Sequence, residues 1–178
     1  AVCFGSLAQR SDLSQKTIHD FLKNTPSNCL RIFDVNLRQD IYSKQIVEDS
    51  LKLCNILKLS DEELPILSEW FGLIGPAVNQ LKILLEQFDL EMVAYTRGKE
   101  GSILVSSETI DEHHGVPTNM VDSVGAGDAF TAALCLGLLN QMQLFDIHKK
   151  ANGVAAFVCS KKGGTPTVPF EIKKGFIS

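Results

Sequence analysis

The chain has 178 residues, of which 44% are hydrophobic and 21% charged, a composition typical of a globular protein large enough to bury a core. Its net charge of −4 and its scattered basic residues argue against a nucleic-acid groove or an anionic membrane as partner, and no apolar run approaches the ~20 residues of a membrane span. The five cysteines form no C-x-x-C pair and lie in apolar runs, which predicts buried thiols in a reducing compartment and therefore a cytoplasmic protein.

Strands and helices alternate along the first half of the chain. Residues 1–7 are apolar and short enough for a buried strand, and Ser11 or Ser14 is placed to cap the helix that follows. Residues 30–36 predict a second strand. Ser43 then begins a helix whose apolar positions recur at three- and four-residue spacing.

The second half of the chain continues this alternation. A short strand at 56–59 leads into Ser60 and Glu63, which have capping-box spacing, and Pro76 begins another helix. The remaining predicted elements are strands at 92–96 and 102–105, an edge strand or loop at 109–121, and helices at 127–141 and 145–160. The repeated order predicts an α/β fold, with a mainly parallel sheet flanked by helices on both faces. Because no repeat or linker is visible, residues 1–178 are expected to form one domain.

The strongest chemical signal is the segment Val121-Asp-Ser-Val-Gly-Ala-Gly-Asp-Ala-Phe130, where an extended stretch passes through two glycines into a helix. Backbone N–H groups at a helix N-terminus lack intrahelical partners, and glycines let an anion approach them closely, which favours a phosphate site. Asp128 falls in the first turn of this helix, where its carboxylate can take a proton from an attacking hydroxyl. On these residues alone, a glycine turn followed by an aspartate helix cap is an equally good interpretation.

This segment closely resembles the signature of the ribokinase-like carbohydrate kinases, the family of ribokinase, fructokinase and adenosine kinase. Two commoner glycine motifs are excluded, because Phe130 replaces the third glycine of G-x-G-x-x-G and no Walker A lysine follows. The resemblance implies that Asp128 is the catalytic base for a sugar hydroxyl. It also implies that the backbone amides of Gly125, Ala126 and Gly127 form the anion hole for the transferred phosphoryl group.

Two earlier segments also resemble motifs of this family. Asp34-Val-Asn-Leu-Arg38 is similar to D-x-N-x-R at the C-terminal end of a sheet strand, where open α/β folds bind ligands. This implies that Asn36 lies at the cofactor site and that Arg38 adds positive charge for catalysis. Ser60-Asp-Glu-Glu63 is similar to N-x-x-E, with Ser60 in place of asparagine, and implies that Glu63 organises hydrated Mg²⁺ beside the phosphates. The alternatives are a polar turn with a surface arginine and a plain capping box.

Later segments carry the rest of the implied nucleotide site. Thr96-Arg-Gly-Lys-Glu-Gly101 resembles T-x-G-x-x-G, a strand-end turn that faces the nucleotide, although an ordinary hairpin turn has the same pattern. Thr96, Gly98 and Gly101 are therefore candidate cofactor-binding residues, and Asn152 matches the position of a side chain beside the adenine. The positions that match the family's monovalent-cation loop, largely through backbone carbonyls, are Asp122, Val124, Val158, Lys161, Gly163 and Thr167.

The resemblance covers essentially the whole chain, but only the C-terminal half of the family pattern or a little more. It therefore implies that the N-terminal sugar-binding segment and the β-sheet lid are absent here, and that a homodimer would form through that lid. The implied function is phosphorylation of a sugar hydroxyl, with ATP, Mg²⁺ and K⁺ as cofactors. The stretches at 33–38 and 58–63 favour fructose, while ribose, a keto-deoxy sugar acid and a nucleoside stay open. The alternatives from other classes are a catalytically silent nucleotide- or sugar-sensing domain and a Rossmann-like binding module.

Overall fold

The structure, a computed structural model, describes residues 1–38 and 42–176. Over these residues the strands, named β1 to β6 in chain order, span Val2–Gly5, Arg31–Asp34, Ile56–Ser60, Met92–Thr96, Ser102–Ser106 and Ile110–His113. The α-helices, named α1 to α7, span Asp12–Lys23, Lys44–Leu51, Leu64–Phe71, Ala77–Gln87, Ala126–Leu139, Leu144–Cys159 and Phe170–Lys173. Short 3₁₀ helices lie at Leu7–Gln9 and Gly98–Glu100.

The strands form one sheet in the order β1 to β6. The first four strands are parallel neighbours, with Phe33 of β2 paired to Phe4 of β1 on one side and to Leu57 of β3 on the other. The connections at 97–101 and 107–109 are too short for a parallel crossover, so β5 and β6 run antiparallel to the strands that precede them. The predicted α/β fold with a mainly parallel sheet is therefore confirmed.

Successive residues of the central strands are buried. Ile32 and Phe33 of β2 have no exposed surface, and neighbouring side chains of a strand point to opposite faces of the sheet. Both faces must therefore be covered, as expected for parallel strands connected by helices. Helices α2 and α4 contribute fully buried side chains to the core, among them Leu51 and Leu84.

The described residues form two compact units. The first comprises residues 1–96 and 104–110 and holds β1 to β4 with α1 to α4. The second comprises residues 97–103 and those from 111 onward and holds α5, α6 and α7. No helix within the described ranges has the length and apolarity that a membrane crossing needs.

Capping side chains begin the helices of the first unit where the sequence predicts. The Ser11 hydroxyl accepts a hydrogen bond from the N–H of Ser14 at the start of α1. The Ser43 hydroxyl accepts one from the N–H of Ile46 at the start of α2. Pro76 stands directly before α4. These contacts satisfy N–H groups that the first turn of a helix leaves without intrahelical partners.

Several boundaries differ from the sequence prediction. β1 ends at Gly5, because a 3₁₀ helix follows it. β2 ends at Asp34, because Asn36 has a φ of 42°, which an extended strand does not allow. Between 109 and 121 only Ile110–His113 is a strand. Cys3 is exposed rather than buried, since it lies on the edge strand β1.

Helices α5 and α6 of the second unit pack closely against each other. A Cβ atom built at Gly137 of α5 would lie 2.6 Å from Ile147 Cγ1 of α6, so this approach requires glycine. Both helices begin one residue before the predicted start, α5 at Ala126 and α6 at Leu144. The glycine segment therefore leads directly into α5, as the sequence indicates.

Candidate active site

The N-terminus of α5 is built on a glycine turn. Gly125 is the N-cap residue and has a φ of 81°, which side-chain-bearing residues rarely adopt. A Cβ atom at this position would overlap the carbonyl oxygen of Gly164, so the backbone of the loop that follows α6 packs against the turn. Glycine is therefore required at position 125 both for conformation and for space.

The Asp122 carboxylate joins these two loops. Its Oδ1 accepts a hydrogen bond from the N–H of Val124, and its Oδ2 accepts one from the N–H of Gly163, each at 3.0 Å. These two backbone donors lower the pKa of Asp122, because they stabilise its charged form. An ionised Asp122 thus fixes the backbone on which the α5 N-terminus is built.

Several amide groups at this N-terminus are available to an incoming anion. The N–H of Ala126 makes a long hydrogen bond to the Ser123 carbonyl, at 3.3 Å. The N–H groups of Gly125, Gly127 and Asp128 donate to no backbone carbonyl within the described part of the chain. The Asp128 side chain is exposed in the first turn of α5. An exposed carboxylate and open amide donors therefore share one helix end, where the helix dipole favours negative charge.

The turn at 97–101 is tightly closed. The N–H of Arg97 donates to the Gly101 carbonyl at 2.7 Å, and Gly101 has a φ of 88°. A Cβ atom at Gly101 would overlap the His113 carbonyl oxygen, whereas one at Gly98 would meet open space. The Arg97 guanidinium also pairs with Glu112 of β6 at 2.8 Å. The turn therefore has a fixed backbone with a glycine, Gly98, on its open side.

Asn152 lies behind this turn in a buried polar network. Its Nδ2 donates to Ser102 Oγ at 2.8 Å and to the His148 carbonyl at 2.9 Å. Ser102 Oγ lies 2.7 Å from His148 Nε2, and His148 Nδ1 lies 2.6 Å from Asp111 Oδ2. Because Gly101 precedes Ser102, this network brings two of the predicted nucleotide-site segments together.

In the first unit, the Glu63 carboxylate holds two backbone segments. Its Oε1 accepts a hydrogen bond from the Leu37 N–H at 2.9 Å, and its Oε2 accepts one from the Ser60 N–H at 2.8 Å. Glu63 is only 8% exposed. The second contact is the glutamate half of the predicted capping box, although α3 begins later, at Leu64. Glu63 thus joins the 34–38 segment to the end of β3.

The side chains of Asn36 and Arg38 lie at the end of β2. Asn36 Oδ1 accepts a hydrogen bond from Arg38 Nε at 2.8 Å, and the Arg38 side chain is exposed. Thr96, at the end of β4, lies beside β3: its hydroxyl donates to the Leu59 carbonyl at 3.4 Å, and its own carbonyl accepts from the Asp61 N–H at 2.9 Å. These side chains follow the carboxyl ends of parallel strands, where open α/β folds bind ligands.

Of the residues matched to a monovalent-cation loop, three are joined directly, since the Asp122 carboxylate holds the N–H groups of Val124 and Gly163. The Val158 carbonyl accepts a hydrogen bond from the Lys161 N–H at 3.0 Å at the end of α6. Thr167 is exposed in the segment between α6 and α7. The Asp122 contacts give this loop a defined backbone path.

Sequence reasoning missed two buried polar clusters. Lys58 Nζ lies 3.0 Å from Asp34 Oδ1, in an ion pair that adjoining strands place in register. The second cluster comprises Asp111, Ser102 and His148. A usable signal existed only for His148, which lies four residues before Asn152 and therefore shares a face of α6 with it.

Sequence comparison identifies relatives of this chain. The pfkB family of carbohydrate kinases matches residues 5–171. The chain is 34% identical over 174 residues to an uncharacterized sugar kinase of Pyrococcus horikoshii, covering 93% of this chain and 52% of the relative. It is 30% identical over 178 residues to a fructokinase of Salmonella typhimurium, covering 93% of this chain and 57% of the relative.

Solved structures agree with the fold. The Pyrococcus horikoshii sugar kinase in complex with ATP has a TM-score of 0.73 at 31% identity, covering 92% of this chain and 52% of that one. A Vibrio cholerae fructokinase with bound fructose, ADP and calcium has a TM-score of 0.78, covering 91% of this chain and 55% of that one. At 24% identity, the second likeness concerns the fold alone. The ribokinase-like fold predicted from the sequence is confirmed.

The chain spans about half the length of the curated relatives it matches, 52% of one and 47% of another. The matched range of 5–171 includes the glycine turn before α5, the turn at 97–101 and the ends of β2 and β3. With nearly the whole chain inside this range, the chain belongs to the pfkB family of carbohydrate kinases.

Proposed function

We propose that this protein transfers the γ-phosphoryl group of ATP to a hydroxyl group of a sugar. The observation that carries the proposal is the end of α5, where the exposed Asp128 carboxylate accompanies open backbone N–H groups. Phosphoryl transfer depends mainly on positioning and on neutralising charge, and this helix end offers both a base and anion donors.

In this proposal Asp128 accepts the proton of the attacking sugar hydroxyl. The amides of Gly125 and Gly127, with that of Ala126 once it leaves Ser123, donate to the oxygens of the transferred phosphoryl group. Asp122 keeps these amides in place through the backbone that it holds. Arg38, exposed at the end of β2, adds positive charge for the phosphates.

The adenine nucleotide is proposed to bind along the turn at 97–101. Gly98 leaves the outer side of the turn open, and Gly101 lets its inner side approach the backbone at His113. Asn152 would lie beside the adenine, with Asn36, Ser60 and Thr96 as further cofactor-site residues. The ATP complex of the Pyrococcus horikoshii relative supports the nucleotide assignment.

The residues present fit a metal that is bound chiefly by phosphates. In the described ranges, no group of three or more His, Cys, Asp or Glu residues could hold a metal ion by itself. Mg²⁺ typically keeps several waters and takes one or two carboxylates together with substrate phosphates. Glu63 would hold such a hydrated ion through water, since each of its oxygens keeps a lone pair beyond its backbone contact. When bound, Mg²⁺ supplies neutralisation of phosphate charge. The loop held by Asp122 is the proposed site for K⁺.

Fructose is the proposed acceptor. The segments at 33–38 and 58–63 resemble fructokinases, and one relative with 30% identity carries that name. Ribose, a keto-deoxy sugar acid and a nucleoside are the competing acceptors within the same chemistry. A cytoplasmic location and a homodimer through a lid segment complete the proposal for the whole protein.

A coupled assay of ADP release tests this function with the complete gene product. Fructose, ribose, a keto-deoxy sugar acid and adenosine would each be supplied with ATP, Mg²⁺ and K⁺. The proposal predicts rapid turnover with fructose and a phosphorylated sugar as product. ATP binding without transfer to any of the acceptors would contradict it and would favour a sensing role.

A further inference from the structure

Four side chains of the second unit form a continuous hydrogen-bonded chain, named here the Ser102 relay. It runs from Asp111 of β6 through His148 of α6 to Ser102 of β5, and ends at Asn152 of α6. Every contact is between 2.6 and 2.8 Å. The relay joins the segment directly after the 97–101 turn to the residue proposed to lie beside the adenine.

The donors and acceptors of the relay can be assigned by chemistry. The Asp111 carboxylate accepts, so His148 Nδ1 carries the proton and the neutral Nε2 accepts the Ser102 hydroxyl hydrogen. The two hydrogens of Asn152 Nδ2 then go to Ser102 Oγ and to the His148 carbonyl. This pattern fixes which way the Asn152 amide faces.

The order Ser, His, Asp also occurs in hydrolase triads, but burial argues against nucleophilic catalysis here. Ser102 is 1% exposed and His148 has no exposed surface. A substrate carbonyl therefore cannot reach Ser102 Oγ. A buried, fully hydrogen-bonded chain of this kind instead gives its members one defined arrangement.

We propose that Asp111, His148 and Ser102 are positioning residues that hold Asn152 and the 97–101 turn in the arrangement that binds the adenine nucleotide. This inference rests on the proposed function, because it assigns the nucleotide to that turn. It adds a regulatory consequence, since the relay has a second hydrogen-bonded arrangement.

A proton on His148 reverses the direction of the relay. Nε2 then donates to Ser102 Oγ, and the Ser102 hydroxyl hydrogen turns to Asn152 Oδ1, which lies 3.1 Å away. The groups that face His148 are Asp111 and His113 of β6, Phe130 of α5, and Arg97 of the turn. Asp111 favours the protonated form, whereas burial and the positive charge of Arg97 oppose it. ATP affinity should therefore depend on pH through His148.

The test is steady-state kinetics of the complete gene product, with ATP varied at saturating sugar between pH 5.5 and 8. Ser102→Ala, His148→Asn and the double variant interrupt the relay. Ser50→Ala is the matched control, because Ser50 is also fully buried and bonded to a side chain, Gln9, in the other unit. Circular dichroism would verify that each variant is folded.

Each single relay variant is expected to raise the KM for ATP about threefold to tenfold, the effect of one hydrogen bond, with kcat within about twofold. The double variant should be no weaker than the worse single variant, since both break one chain. The pH dependence of the KM should weaken in His148→Asn, and Ser50→Ala should match wild type. If alanine at 102 prevents folding, Asp111→Asn, at a side chain that is 23% exposed, carries the same prediction.

Two results have different meanings. An active protein whose relay variants keep the wild-type KM and pH profile, or whose effects simply add, would overturn the relay and leave the proposed function standing. A wild-type protein without ATP-dependent transfer would overturn the proposed function and the relay with it.

Discussion

The Glu63 carboxylate accepts a hydrogen bond from the backbone N–H of Leu37, with 2.9 Å between Oε1 and N. The same carboxylate accepts the N–H of Ser60 at 2.8 Å. The residue expected to organise Mg²⁺ therefore also joins the segment after β2 to the end of β3. A structural effect of Glu63 and an effect on metal binding can be separated by experiment, since only the first persists without Mg²⁺.

Glu63→Gln should lower the free energy of unfolding by about 1–3 kcal/mol, because its NH₂ group would face a backbone donor and leave a buried N–H without an acceptor. Urea unfolding in Mg²⁺-free buffer measures this change. Glu62→Gln, at the exposed neighbouring position, should change stability by less than about 0.5 kcal/mol. Equal stability of Glu63→Gln and wild type would mean that the two backbone contacts contribute nothing to folding.

Gly125→Ala and Gly163→Ala separate backbone strain from steric overlap. Both glycines have a positive φ, 81° and 85°, but a Cβ atom at Gly163 meets open space, whereas one at Gly125 overlaps the Gly164 carbonyl. Gly163→Ala should cost about 1–2 kcal/mol from strain alone. Gly125→Ala should cost at least about 3 kcal/mol, because overpacking adds to that strain. Thermal and urea unfolding measure both variants, and equal losses would show that the two loops do not pack as described.

Stability should fall with pH through His148. Burial lowers the pKa of His148 below its ordinary value of 6.5, and the hydrogen bond to Asp111 opposes this only in part. Above pH 6.5 the imidazole is neutral in both the folded and the unfolded chain, so its contribution is fully present. As the pH falls below 6.5, the unfolded chain takes up the proton first, and stability is lost until the folded pKa is passed.

Urea unfolding at several values between pH 5 and 7.5 would detect this loss. His148→Asn should remove that part of the pH dependence, and His114→Asn, at an exposed histidine, should retain it. An identical pH slope for wild type and His148→Asn would assign the loss to other groups.

Local signals in the sequence predict much of the fold. Ser11 and Ser43 cap the helices that follow them, and α5 begins at the predicted glycine segment. These features depend on residues within one turn of each other, so propensity and capping suffice. The β2 boundary was wrong, because Asn36 adopts a positive φ that its sequence neighbours do not reveal.

The polar clusters depend instead on tertiary packing. His148 meets Asp111 and Ser102, which lie 37 and 46 residues away in the chain. The pairing of Lys58 with Asp34 requires the register between β2 and β3. Neither arrangement has a local pattern. The roles of the predicted site residues and the single domain stay predictions.

The most direct test of the account compares Asp128→Asn with Asp146→Asn. Both aspartates are exposed, and each is the third residue of its helix, Asp128 in α5 and Asp146 in α6. Loss of charge near a helix N-terminus is therefore common to the two variants, and only Asp128 follows the glycine turn. The measurement is kcat for sugar phosphorylation by the complete gene product, alongside ATP affinity. The account predicts that Asp128→Asn lowers kcat by about 10²–10⁴-fold with ATP affinity largely kept, whereas Asp146→Asn stays near wild type. An Asp128→Asn protein that keeps more than about a tenth of the wild-type kcat would contradict the assignment of Asp128 as the base.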